Sequence, residues 1–281
     1  MEIRIEDMDF GYDDVTILHD VNLVIDKPGL VCVVGPNGVG KSTLIRCINK
    51  LEVPDKGRIT VDGIDIQGLS LKEMARIMGY VPVTSSEMFS MTVYDTVMMG
   101  RHPYKSMGRT TELDDKIVKR SMKMMDVKHL ALRDFDELSA GQHQKVAIAR
   151  GLAQTPKVLI LDEPTSNLDV RHQMQVTERL RDLAIENGMT ILMISHDLNT
   201  SAKYADEIIM MAVPGFIYKV GTPQEVLTEE SIRYVYGVDC RVIDDDGRPH
   251  IILKKPLPDD EIKEMHRDDD ERFGFRAGES S

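Results

Sequence analysis

The feature that most constrains the fold is the eight-residue segment 35–42, GPNGVGKS. It follows an apolar run at residues 29–34 and precedes a helical pattern at residues 43–49. Its glycines let the backbone curl tightly and approach a ligand without a Cβ in the way. Successive backbone N–H groups, with a helix N-terminus behind them, then face negatively charged oxygens. The segment therefore predicts a phosphate-binding loop between a strand and a helix.

Four further motifs follow this loop in order along the chain. They are LSAGQ at 138–142 with a helical run at 145–150, VLILDE at 158–163, SNLD at 166–169, and SHD at 195–197 after an apolar run at 190–194. Singly, only the phosphate-binding loop carries much weight, but the five motifs in this order are highly specific. Over most of residues 1–235 the chain resembles the nucleotide-binding subunit of an ATP-binding cassette (ABC) transporter.

The chain is expected to have an α/β fold. Apolar runs at 158–161, 190–194 and 207–212 alternate with helical patterns at 172–187 and 198–205, which predicts a largely parallel sheet. The resemblance implies a P-loop (RecA-like) core, an antiparallel N-terminal β subdomain and an inserted α-helical subdomain. We predict an ATP-binding core of residues 1–83 and 152–235, a helical subdomain of residues 84–151, and a C-terminal extension of residues 236–281.

Composition and charge argue against several other classes of protein. The net charge of −12 and the lack of tryptophan argue against a nucleic-acid partner, which would need a basic surface or stacking platforms. No apolar run reaches the length of a membrane span, and the N-terminus has no targeting pattern, so we expect a cytosolic protein. Residues 258–281 carry nine acidic and four basic side chains, and we expect this acidic tail to be disordered. The spacing of Cys32, Cys47 and Cys240 fits neither a disulfide framework nor a zinc site.

Several side chains fit the hydrolysis of ATP, which requires charge neutralisation, a metal ion and an oriented water molecule. Lys41 is expected to contact the β- and γ-phosphates. Ser42 and Asp162 are expected to hold Mg²⁺, directly or through water, since this ion takes few protein ligands. Glu163, which ends the apolar strand, is the predicted residue that activates or orients the attacking water.

The resemblance adds further residues to this site. It implies that His196 contacts the γ-phosphate and that Tyr12 stacks on adenine. It also implies that the signature segment, residues 139–142, closes on ATP bound by a second copy of the chain, with Asp169 acting across the same interface. The predicted catalytic residues are Glu163, His196 and Lys41, and the predicted nucleotide-binding residues are Tyr12, Gly35, Pro36, Asn37, Gly38, Val39, Gly40, Lys41, Ser42, Thr43, Ser139, Ala140, Gly141 and Gln142.

The resemblance also implies membrane partners. The segments at 91–104 and 235–242 are similar to those of ATPases that serve iron-chelate, haem and cobalamin permeases. We therefore expect an importer ATPase at the cytoplasmic face of the membrane, attached to integral permease subunits and linked indirectly to a substrate-binding protein. The substrate class rests on this similarity alone, because the substrate path lies in other chains.

Two positions depart from the family pattern. Ala140 replaces a glycine of the signature segment, which is a small change. Val83 stands where a glutamine usually reaches Mg²⁺ and links the core to the helical subdomain, and a valine side chain cannot coordinate a metal. Either a hydroxyl of Thr84, Ser85 or Ser86 or a water molecule replaces the glutamine, or the coupling step is altered.

Two alternatives to an importer subunit remain open. A soluble ABC ATPase without a permease could act in DNA repair, translation or cofactor assembly. The long coiled-coil insertion expected of a DNA-repair member and the second cassette expected of a translation member are both missing from the sequence. A degenerate cassette would bind ATP but hydrolyse it poorly. Val83 favours that alternative, whereas Glu163 and His196 oppose it.

Overall fold

The computed structural model describes residues 1–83, 91–105, 110–166, 168–267 and 269. At its centre is a six-stranded sheet with the spatial order β10 (Phe216–Gly221), β9 (Glu207–Ala212), β3 (Gly29–Val34), β8 (Thr190–Ile194), β7 (Val158–Leu161) and β6 (Met78–Val81). The strands from β9 to β6 run parallel, and β10 is antiparallel to β9. The predicted α/β fold with a mostly parallel sheet is confirmed.

The central strands are covered on both faces, which explains their continuous apolar sequences. Every residue of β3, β7 and β8 is buried. Because side chains alternate along a strand, Val31 and Val33 join the apolar cluster on one face, whereas Cys32 and Val34 join the cluster on the other. The first face is covered by α1 (Lys41–Ile48), and the second by α6 (Val170–Asn187), α7 (Leu198–Tyr204), α8 (Pro223–Val226) and α9 (Glu229–Tyr236).

An antiparallel sheet packs on the same side as α1. Its strands lie in the order β2 (Val15–Ile25), β1 (Ile3–Tyr12), β4 (Lys56–Val61) and β5 (Ile64–Asp65). Met8 and Leu18 of this sheet share one buried cluster with Leu44 and Ile48 of α1. The predicted N-terminal β subdomain is therefore present, and it holds α1 and the preceding loop against the central sheet.

The described residues between β6 and β7 are largely helical. The helix α2 (Leu71–Ile77) precedes β6. The α-helices that follow β6 are α3 (Val93–Met98), α4 (Glu112–Met124) and α5 (Ala140–Ala153). Thr92, Thr111 and Ser139 cap α3, α4 and α5 by accepting a backbone N–H bond, as hydroxyl residues commonly do. The boundary that we placed after residue 151 falls inside α5, which continues to Ala153. No helix among the described residues is long and apolar enough to cross a membrane.

The C-terminal extension is more ordered than we predicted. It forms a hairpin of β11 (Val238–Asp245) and β12 (Arg248–Pro256), followed by α10 (Asp259–Met265). The prediction of a disordered tail is therefore wrong for α10, whereas residues 268 and 270–281 lie outside the described residues. The three acidic residues that open α10 lie at the positive end of its dipole, so the charge that suggested disorder here favours a helix N-terminus.

The C-terminal helix α10 contacts the end of α9. Arg233 pairs with Glu261, and the ring of His266 lies 4.5 Å from the ring of Tyr234. Ile262 lies so close to Gly237 that a Cβ at that position would come within 2.7 Å of its Cδ1. These contacts dock α10 on the body of the protein.

The three cysteines are buried free thiols. Burial raises the pKa of Cys32 and of Cys47 to about 12. Both side chains are therefore neutral at physiological pH and pack as small apolar groups.

Candidate functional site

The loop between β3 and α1 forms an open cradle. Gly40 has a φ of 96°, and a Cβ there would lie 2.8 Å from Cδ2 of Leu18, so the position requires glycine. A Cβ at Gly38, by contrast, would meet nothing within 4 Å. No side chain caps the start of α1, so its first backbone N–H groups face the loop. A glycine-rich loop that leads into an uncapped helix N-terminus is the arrangement that an anion site requires.

Lys41 lies beneath this cradle. Its side chain is buried, and Nζ donates hydrogen bonds to the backbone oxygens of Gly35 at 2.8 Å and Pro36 at 2.6 Å. Burial lowers the pKa of Lys41, while the nearby carboxylates of Glu163 and Asp162 oppose that shift. The loop therefore holds a cation in the position where phosphate oxygens would approach.

Ser42 and Asp162 meet at the carboxyl end of β7. The Ser42 hydroxyl donates to Oδ1 of Asp162 at 3.1 Å, and the hydroxyl of Tyr80 lies 3.4 Å from Oδ2. Burial raises the pKa of Asp162, and the hydrogen bond from Ser42 opposes this shift. A hydroxyl and a carboxylate side by side form an oxygen donor set of the kind that Mg²⁺ prefers. The residues present therefore fit that ion.

Glu163 and His196 also meet at this edge of the sheet. Glu163 has a φ of 47°, an uncommon left-handed conformation for a residue other than glycine. The chain thus turns sharply after Asp162, and Oε1 of Glu163 lies 2.5 Å from Nε2 of His196, which follows β8. The turn allows two consecutive carboxylates to serve one region of the site.

Tyr12 lies at the end of β1, on the side of α1. The residue is 42% exposed, and its ring makes an edge contact with Phe10, with centroids 4.9 Å apart. The hydroxyl donates to Glu52 at 3.1 Å, and the side chain of Thr43 in α1 is a further hydrogen-bond partner. Tyr12 is therefore an exposed aromatic residue adjacent to the first turn of α1, which follows the phosphate-binding loop.

The signature segment forms a separate site. Ser139 and Gln142 make a capping box, in which the Ser139 hydroxyl accepts from the Gln142 N–H at 3.4 Å and the Gln142 side chain accepts from the Ser139 N–H at 3.0 Å. This end of α5 opens on a cleft of about 450 Å³, which is also lined by Asp169 and His172. The residues that line the cleft include none from the phosphate-binding loop. The structure thus brings the signature segment to Asp169 but not to Lys41.

Val83 and its neighbours complete the set of predicted positions. Val83 is partly exposed just after β6, and Thr84, Ser85 and Ser86 lie outside the described residues.

Two tyrosines near the site were not anticipated. Tyr80 contacts Asp162, and Tyr236 at the end of α9 has a hydrogen bond with the backbone of Gly35. Tyr80 lies within a short apolar run and Tyr236 at the end of a helical pattern, and neither position marked the residue as part of the site.

Comparison with known proteins decides the family. A family model described as ABC transporter matches residues 18–166. This chain belongs to that family. The ferric enterobactin transport ATP-binding protein FepC of Escherichia coli K12 is 36% identical over 253 residues, covering 89% of this chain and 93% of that protein. The cobalamin import ATP-binding protein BtuD of Halobacterium salinarum is 40% identical over 260 residues, covering 92% of this chain and 64% of that protein.

The fold comparison agrees with the sequence comparison. A chain of a metal-chelate type ABC transporter, solved in an inward-facing conformation, has a TM-score of 0.78 and 27% identity, covering 90% of this chain and 96% of that chain. The protein is therefore an ABC ATPase cassette, related to the ATP-binding subunits of importers.

Proposed function

We propose that this ABC ATPase binds Mg-ATP at two sites shared by a head-to-tail pair of chains. Its hydrolysis drives a membrane permease that imports an iron chelate, haem or a cobalamin-type substrate. The observation that carries the hydrolytic part is the convergence of Lys41, Ser42, Asp162 and Glu163 at one edge of the central sheet. These groups supply the positive charge, metal donors and base that phosphoryl transfer to water requires.

Each group at this edge has a separate task. The N–H groups of the loop and the Lys41 ammonium neutralise the β- and γ-phosphate oxygens. Mg²⁺ held by Ser42 and Asp162 supplies further positive charge when it is bound. The Glu163 carboxylate orients a water molecule toward the γ-phosphorus and accepts its proton. His196 is the proposed contact of the γ-phosphate. In the tautomer that carries a proton on Nε2, it also donates to Glu163 and fixes the direction of that carboxylate.

The separation of the signature segment from the phosphate-binding loop supports the proposed second copy of the chain. In one chain, Ser139 and Gly141 line a cleft that contains no residue of the phosphate-binding loop. Their hydroxyl and N–H groups reach a γ-phosphate only if another chain presents its nucleotide there. A two-fold axis makes both sites equivalent, because each chain contributes its loop to one site and its signature segment to the other.

The membrane partner and the substrate are proposed from the relatives. FepC is named for ferric enterobactin transport, the halobacterial relative for cobalamin import, and the structural neighbour for a metal chelate. This chain would then be attached to integral permease subunits at the cytoplasmic face of the membrane. A substrate-binding protein would contact the permease and not this chain.

A weakly hydrolysing cassette is the second candidate, and Val83 favours it. The side chain is partly exposed after β6 and offers no atom that could bind a metal. An intact Glu163–His196 pair argues for the active enzyme. A soluble ATPase without a permease is the third candidate, and the transport functions for which the relatives are named argue against it.

Purification from its native membrane tests these candidates together. We expect a tagged chain to copurify with a multi-span membrane protein and to hydrolyse ATP in the presence of Mg²⁺. Lys41→Ala serves as the inactive control for contaminating ATPases. Hydrolysis without any copurified membrane protein would favour a soluble ATPase. Hydrolysis at the level of Lys41→Ala, with and without the permease, would favour the degenerate cassette.

A further inference from the structure

A tyrosine that the proposed mechanism does not use lies against the predicted metal ligand. Tyr80 is the third residue of β6, and its hydroxyl donates to Oδ2 of Asp162 at 3.4 Å. We propose that Tyr80 is a positioning residue, which holds the Asp162 carboxylate so that its other oxygen faces Ser42 and the metal. This inference rests on the proposed Mg-ATP site.

Strand register explains how Tyr80 reaches Asp162. In the parallel pair of β6 and β7, Tyr80 lies opposite Ile160, and the Asp162 N–H extends the ladder by donating to the Val81 oxygen at 2.9 Å. Side chains two residues apart share a face, so Asp162 emerges on the same face as Ile160. Tyr80 and Ile160 both belong to the apolar cluster beneath α1. A shift of one residue would turn the tyrosine to the opposite face of the sheet.

The contact completes the hydrogen bonding of a buried carboxylate. Asp162 is only 5% exposed, so water is largely excluded from its oxygens. Ser42 donates to Oδ1 at 3.1 Å and Tyr80 donates to Oδ2, so one donor is aimed at each oxygen. Two donors from different elements, α1 and β6, fix the plane of the carboxylate. Groups that orient a metal ligand in this way tune the affinity of the site for its ion.

Among the described residues, Asp162 is the hydrogen-bond partner of the Tyr80 hydroxyl. The ring of Tyr80 packs against the cluster beneath α1, and a phenylalanine ring would fill the same volume. A phenolic hydroxyl is protonated near neutral pH, so the group can donate. Val83, three residues later in the same segment, has no polar side-chain atom. Tyr80 thus provides a polar contact from this segment to the metal-binding residues.

The test compares Tyr80→Phe with wild type and with Tyr94→Phe. Tyr94 is a matched control because its hydroxyl also donates to a carboxylate, Asp115 at 2.8 Å, but in the helical subdomain. Calorimetry measures binding of the non-hydrolysable analogue AMP-PNP in EDTA and at rising Mg²⁺ concentrations. We expect Tyr80→Phe to reduce the Mg²⁺-dependent gain in affinity about tenfold, as is typical for groups that orient a metal ligand. Its affinity in EDTA should match wild type, whereas its melting temperature should fall slightly because a buried carboxylate loses one donor. Tyr94→Phe should match wild type in its response to Mg²⁺.

Two outcomes would overturn the role of Tyr80. One is a Mg²⁺-dependent gain in Tyr80→Phe equal to that of wild type. The other is an equal loss of affinity with and without Mg²⁺, which would indicate that the hydroxyl only supports packing. Failure of the proposed function looks different, because the wild type itself would then show no response to Mg²⁺. That result would remove the metal site and the role of Tyr80 together.

Discussion

The phosphate-binding loop and the signature segment both lead into a helix N-terminus, but they differ in what surrounds them. The first turn of α1 follows Gly40 without a side-chain cap, and Lys41 lies buried beside it. The first turn of α5 is capped by Ser139, and its cleft lies apart from the loop and its lysine. The loop thus has its own buried cation and predicted metal donors, whereas residues 139–142 supply only uncharged donors, in a cleft that Lys145 also lines. The difference supports our proposal that the signature segment complements a nucleotide held by another chain.

The largest effect should come from the loop side of this comparison, at Glu163. Glu163→Gln removes the base but keeps the size of the side chain. We expect hydrolysis to fall by about two to four orders of magnitude, while ATP binding persists and an ATP-bound dimer accumulates. Turnover and size-exclusion chromatography measure the two effects. Glu178→Gln, an exposed site on α6, is the matched control, and near-wild-type turnover in Glu163→Gln would remove its assigned role.

The signature side should respond differently. Ser139→Ala removes a donor to the γ-phosphate of the other chain, and we expect hydrolysis to fall about 10- to 100-fold, the range for a hydrogen bond to a charged group. ATP affinity of the separate chain should stay unchanged, because the loop is intact. Since the change also removes the cap of α5, Thr111→Ala at α4 controls for lost capping. Weakened binding of ATP to the isolated Ser139→Ala chain would contradict two distinct roles.

Most of this site was predictable because its signals are local. The loop, its strand and its helix are contiguous in sequence, and Asp162 directly follows a fully buried strand. The role proposed for Tyr80 was not predictable, since it depends on the pairing of β6 with β7, two strands separated by the helical subdomain. Strand register is a long-range property that the sequence of β6 alone does not contain.

The C-terminal extension shows a second limit of sequence analysis. Its acidic composition suggested disorder, yet α10 begins with three acidic residues and docks through Arg233 and Ile262. Charge density favours solvation in an isolated segment. At the first turn of a helix with a docking surface nearby, the same charge is stabilising. The order of α10 thus depends on its contacts with α9, which lies outside the acidic tail.

A smaller effect is expected at Val83, beside the loop site. Because the side chain is partly exposed, glutamine can be accommodated there without steric conflict. We expect Val83→Gln to change hydrolysis by less than about tenfold, or about 1.4 kcal/mol in the barrier. ATPase rates with and without the permease provide the measurement. A wild type without hydrolysis in either condition, restored by Val83→Gln, would identify a degenerate cassette.

The smallest effect on hydrolysis should follow deletion of residues 259–281. This change removes α10, whose described contacts reach neither the loop nor the signature segment. The Arg233–Glu261 pair is partly exposed and contributes little. We expect a loss of about 1–2 kcal/mol in unfolding free energy, or about 2–8 °C in melting temperature. A tenfold loss of hydrolysis would show that the extension acts on one of the two sites.

Mixing two inactive variants tests the shared site most directly. Lys41→Ala disables the loop, and Gly141→Asp places a negative charge in the signature segment at a position where a Cβ fits, 3.7 Å from Leu168. Each variant alone has both sites damaged, but a mixed pair retains one intact site. With random pairing and independent sites, an equimolar mixture should recover about one quarter of the wild-type rate per chain. No recovery at concentrations where the chains associate, or wild-type hydrolysis by Gly141→Asp alone, would contradict a site built from two chains.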